Sequence, residues 1–223
     1  MLLNSTLPKS SYQLAAYTIL TSGIIGILSF GFLIAFLVLR SPSPDTGTFM
    51  IQSHDVGVIL QFLLLMPFVF GLYAILYKRS PAMSRLNLCI GIGALFFTIL
   101  FLILGSIKII SDTLYMFPQG LFGIWLIALN PLMLDILPRG LRRFGKVVGF
   151  GLMLAGTFPI AFAIFVDPVT GFGPIPKNYV DKDSIANLIT HIVLIIGTFM
   201  GVITLPIWSI LIGRKLLSFQ GHL

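Results

Sequence analysis

Glutamate is absent from this chain, cysteine occurs once, and charged residues of every kind make up only 9% of it. Each shortage excludes something. The lone Cys89 permits no disulfide within the chain and reads as a small apolar side chain inside a span. A charged fraction far below the roughly 25% typical of soluble domains excludes a water-soluble fold. The acidic residues are all Asp, at positions 45, 55, 112, 135, 167, 181 and 183, so any carboxylate chemistry must use the shorter side chain. No phosphate-binding loop, complete dinucleotide fingerprint, Gly-x-Ser-x-Gly elbow or His-Glu-x-x-His helix occurs. Motifs therefore name no catalytic residue, no metal ligand set and no cofactor.

What the chain does have is apolar length. Hydrophobic residues are 57% of it and the mean hydropathy is +1.04. Ser10–Leu39, Val56–Tyr77, Leu86–Ile107, Thr113–Leu134, Val147–Val166 and Ser184–Gly213 contain no charged residue. A hydrocarbon core of about 30 Å needs about 20 residues of helix, and each stretch meets that length. The expectation is an all-α membrane protein, one domain over residues 1–223, with spans near 13–39, 56–77, 86–108, 114–136, 147–166 and 186–213. The first stretch is too long for the apolar region of a signal peptide and is expected to stay as the first span.

Six spans place both termini on one side of the bilayer. That side carries Lys9, Lys78, Arg79, Arg85, Arg139, Arg142, Arg143, Lys146, Arg214 and Lys215, whereas the other has Arg40, Lys108, Lys177 and Lys182. The positive-inside rule then gives an N-in, C-in topology in a cytoplasmic membrane. The net charge of +7 follows from these helix-end cations and points to the lipid bilayer as partner, not to nucleic acid. Residues 40–55 and 167–183, rich in Pro and Gly, read as the long outer loops. A repeat at a spacing of 58, pairing Gln61 with Gln119 and Gly93 with Gly151, suggests duplication of spans two–three in spans four–five, a symmetry used by transport folds.

Within the bilayer, Gly145, Gly149, Gly197 and Gly201 read as positions of close helix packing, inside one chain or along a homodimer seam. Pro67, Pro131, Pro159 and Pro206 fall inside spans and should kink them. Polar side chains at membrane depth are functional hypotheses by default. His54, Gln61, Lys108, Asp112, Gln119, Asn187 and His191 all fall toward the outer leaflet, where they form a candidate polar cluster. Their mix of donors and acceptors favours mutual satisfaction over catalysis. The cytoplasmic cluster Arg139, Arg142, Arg143 and Lys146 suits contact with anionic headgroups, and Asp135 is expected to pair with one of its arginines.

Two segments carry a resemblance. Leu205-Pro206-Ile207-Trp208 with Leu211-Ile212-Gly213-Arg214-Lys215-Leu216, and Pro118-Gln119-Gly120-Leu121-Phe122-Gly123-Ile124-Trp125, are similar to patterns in uncharacterised bacterial six-helix integral membrane proteins. Leu137-Pro138-Arg139-Gly140-Leu141 adds to the likeness. That resemblance implies a multi-pass protein of a bacterial cytoplasmic membrane and brings no catalytic residues. The sequence reading is a non-catalytic membrane protein, structural or binding a lipid or small molecule. Its rivals are a permease-like transporter and an accessory subunit of a larger membrane complex.

Overall fold

The computed structural model describes residues 9–39, 43–77, 81–134, 137–174 and 184–219. These residues are helical almost throughout, and six of the helical segments are long and apolar enough to cross a membrane. Helices α1 (Lys9–Leu39), α2 (Pro44–Tyr77) and α3 (Pro81–Ser106) come first. They are followed by α4 (Met116–Leu129), which tightens into a 3₁₀ turn at Asn130–Met133, and by α5 (Arg139–Phe165). A short α6 (Pro168–Phe172) packs against the end of α5. The last span is built from α7 (Ile185–Gly197), a π-turn at Thr198–Val202 and α8 (Thr204–Phe219).

Each long helix runs antiparallel to the one before, and the last packs on the first, so the six spans close into a ring. The axis of the ring is solid. Phe62, Leu65, Leu95, Phe122, Leu126, Leu152 and Leu205 meet there with essentially no exposed surface. One end of the bundle carries Lys9, Tyr77, Pro81 and Phe219, and the far end carries Leu39, Pro44, Ser106 and Phe165.

Residues 44–55, expected as loop, are the first turns of α2. Proline breaks a helix only where its missing N–H and its ring meet a preceding turn. Pro44 opens the helix, where no N–H is needed, and Asp45 beside it suits the positive N-terminal end. Pro168 does the same for α6, with Asp167 as N-cap accepting from the Val169 N–H at 3.1 Å. Within the fourth span α4 gives way to the 3₁₀ turn at Asn130–Met133, where Pro131 has no N–H for the α-helical ladder.

The π-turn has a physical cause on each side. Pro206 cannot donate to the preceding turn, which loosens the helix there. Gly201 is pressed backbone to backbone against Gly151 and Leu152 of α5, which holds the widened turn in place. Beyond the turn the span changes neighbour: α7 lies along α5, and α8 lies along α1.

Candidate functional site

The residues expected to cluster at the far end find different partners. On α2, His54 and Gln61 both face α1. Ser29 Oγ donates to the His54 carbonyl at 2.8 Å, and His54 Nδ1 lies 3.0 Å from the Ser29 carbonyl. In the Nδ1–H tautomer each side chain thus satisfies the other's backbone, closing a reciprocal clamp between the two helices. Two turns deeper, Ser22 Oγ donates to the Gln61 carbonyl at 2.9 Å, and the Gln61 carboxamide is packed against Gly26 and beside Pro206. Gln61 therefore sits at the fork where the last span leaves α1.

Asn187 and His191 lie on α7 and face α5. The Ser184 hydroxyl caps the helix by accepting from the Asn187 N–H at 3.1 Å. His191 Nδ1 is 2.9 Å from the Asn187 carbonyl, and its ring stands edge-on to Phe158 and Phe162. Lys108 and Asp112 form an exposed ion pair on the turn after α3, where Lys108 takes a left-handed backbone conformation with φ of 60°. Beside them Ser106 donates to Asp55 at 3.5 Å. Gln119 is buried at the start of α4, and its Oε1 has no hydrogen-bond partner.

Sequence reasoning missed Ser29, the residue that makes His54 a clamp. A hydroxyl 25 positions away leaves no signal within one helix. The Ser29–His54 contact, with Oγ 3.2 Å from Nδ1, has the spacing of a nucleophile and its base. Its proton, however, is directed to a carbonyl at 2.8 Å, and Ser29 is 2% exposed. The pair joins helices. Among the described residues, no three His, Cys or Asp side chains come together as a metal site.

At the end that carries Lys9 and Phe219, α5 and α8 part to leave an open groove of about 480 Å³. Leu141 and Phe144 wall one side and Leu211 the other, with Arg214, Lys215 and Ser218 along the rim and Gly140 at its mouth. Arg139, Arg143 and Lys146 are exposed on the same end of α5, whereas Arg142 is half-buried and its Nε is unpartnered. The backbone carbonyl of Arg142 accepts from Asn130 Nδ2 at 2.7 Å, tying the 3₁₀ turn to α5. Asp135, expected to pair with one of these arginines, lies outside the described residues.

The four packing glycines meet other parts of the chain. A Cβ at Gly145 would lie 2.7 Å from the Trp208 Nε1, and one at Gly149 would lie 2.6 Å from the Gly123 carbonyl oxygen. Gly197 and Gly201 are set against the α5 backbone at Ala155 and Leu152. The positions matched by the 58-residue spacing differ in surroundings: Gly93 has no atom near a built Cβ, while Gly151 is pressed against Gly201. No family model, no curated protein and no solved structure matches this chain.

Proposed function

We propose that this is a non-catalytic, multi-pass membrane protein that serves as an accessory subunit, docking a partner membrane protein along the far-end half of α1. One observation carries the reading. Ser106 at the end of α3 is level with Asp55 of α2, and Lys108 and Asp112 follow directly. Those charges mark the edge of the hydrocarbon, yet α1 and α2 continue past it. The continuation on α1, Phe30–Leu39, is about 15 Å of helix at about 1.5 Å per residue and has no polar side chain after Phe30.

Phe32, Ile34, Leu37 and Val38 are exposed on it, as is Phe49 on α2. Burying one such side chain is worth about 1.5–3 kcal/mol, so a face of this kind beyond the bilayer favours a protein cover. The filled axis of the bundle gives a transport path less support. The cation asymmetry supports an N-in, C-in orientation, and the sequence resemblance supports a bacterial cytoplasmic membrane.

Two experiments test this. Reporters fused after Leu223 and inserted at Gly171 should read cytoplasmic and extracytoplasmic respectively; the reverse at either position refutes the orientation. A photoreactive residue at Leu37 in native membranes should yield a protein adduct of one defined mass, whereas one at the lipid-facing Phe96 of α3 should yield lipid adducts. Lipid adducts alone at both positions would refute the docking role.

A further inference from the structure

The α5–α8 groove combines three features that one ligand class satisfies together. Its α8 wall is the stripe Leu211, Arg214, Lys215 and Ser218, whose spacing of three, four and seven puts all four on one helical face. Along that stripe the chemistry changes with depth. Leu211 lies a turn toward the bundle centre, and the cations and the hydroxyl lie toward the chain end. The α5 wall, Gly140, Leu141 and Phe144, is apolar throughout, with Phe144 one turn deeper than the other two. The groove is therefore apolar at its inner end and cationic at its rim.

We propose that this groove binds a single anionic phospholipid, the phosphate between Arg214 and Lys215 and the first acyl carbons along Phe144 and Leu211. Its rim falls where α8 passes from its uncharged stretch to its first cations, the depth at which lipid phosphates lie. A volume of about 480 Å³ accommodates a glycerophosphate and the upper part of its chains and leaves the remainder of the lipid in the bilayer. Arg139, Arg143 and Lys146 on the neighbouring turns add positive potential around the rim. A zwitterionic lipid brings its own cation to that rim and loses the advantage. Free inorganic phosphate has nothing to place against Phe144 and Leu211.

The test uses the full chain, delipidated in mild detergent, with phosphatidylglycerol, phosphatidylcholine and inorganic phosphate as separate probes. Native mass spectrometry should show one phosphatidylglycerol retained per chain, with phosphatidylcholine exchanging freely and inorganic phosphate failing to displace the bound lipid. The R214Q/K215Q double variant should bind phosphatidylglycerol about 25-fold more weakly, from the loss of two headgroup cations. Gly140→Phe plugs the mouth and keeps every charge; a Cβ there meets no atom within 4 Å, so the fold tolerates it. It should also lose the retained lipid, and it decides the matter if the double variant fails to fold. Equal retention of the two lipids, displacement by inorganic phosphate, or wild-type retention in Gly140→Phe would each overturn the assignment.

Discussion

The pairs α1–α2 and α4–α5 are both antiparallel neighbours in the ring, but different chemistry holds each together. In α4–α5 the backbones themselves touch: Gly120 meets Gly156, and Gly123 meets Gly149, with no room for a methyl group between them. In α1–α2 the glycines meet side chains instead of backbone, Gly57 against Ser29 and Gly71 against Ala15, and hydroxyls and an imidazole reach across to carbonyls, at Ser22 and at Ser29 with His54. Lipid offers no hydrophobic drive for two apolar helices to associate, so each pair needs another source of attraction. Close approach of backbone gains dispersion over the whole seam, while a polar clamp gains a local bond beside side-chain packing that can adjust. The α4–α5 seam should therefore be brittle to added bulk, and the α1–α2 seam should lose stability in small separate steps.

The largest expected effect follows from the brittle seam. Gly149→Leu sets a branched side chain against the Gly123 carbonyl, 2.6 Å from where its Cβ would stand, and against the side chains of Leu126 and Ile127. Because backbone cannot yield as a side chain can, the cost should exceed the usual about 1–3 kcal/mol of overpacking. The variant should melt about 10 °C or more below wild type in detergent, at about 2–4 °C per kcal/mol for a chain of this size. A shift under about 3 °C would mean that the seam opens at little cost.

The comparison also explains what was legible beforehand. Six helices long and apolar enough to cross a membrane could be read from uncharged length alone. The start of α2 was hidden because Pro44 looks like a breaker until its place in the first turn is known. The π-turn was hidden as well: it depends on Gly201 meeting Gly151, which lies 50 positions earlier in the chain. Of the polar residues grouped by depth, the structure sends His54 and Gln61 to α1 and Asn187 and His191 toward α5. Helical spacing correctly paired residues on one face, but it cannot name the helix opposite. The Leu211, Arg214, Lys215 and Ser218 stripe was readable from its spacing, although those cations stood out only as flanking charge.

A smaller effect is expected from the polar clamp, and its additivity is the informative part. Ser29→Ala and His54→Ala each remove one hydrogen bond between helices, worth about 0.6–1.7 kcal/mol in a membrane bundle. Each residue bonds the other's carbonyl, so either bond survives truncation of its partner side chain. The double variant should equal the sum of the singles to within about 0.5 kcal/mol in reversible unfolding. A coupling well above 1 kcal/mol, on the scale of about 0.5–3 kcal/mol for groups in contact, would show the side chains bonding each other directly. The Ser29–His54 pair would then deserve study as a nucleophile and its base.

The smallest effect tests the overhang, where the α1–α2 pair outruns the rest of the bundle. Gly31 lies in the extension of α1, is exposed, and has no atom within 4 Å of a Cβ built on it. An exposed helical glycine gives up about 0.5–1 kcal/mol relative to alanine through backbone entropy. Gly31→Ala should therefore raise the melting temperature of the purified protein slightly, by about 1–4 °C. The same substitution at Gly149, inside the α4–α5 seam, should lower it. Gly31→Trp separates stability from docking. It should leave the melting temperature near wild type, because the ring enters open space, and yet abolish the protein adduct formed in native membranes from a photoreactive residue at Val38, which is exposed seven positions on along the same helical face. If Gly31→Trp preserves that adduct, a partner does not cover this face of α1, and the overhang must be packed in some other way.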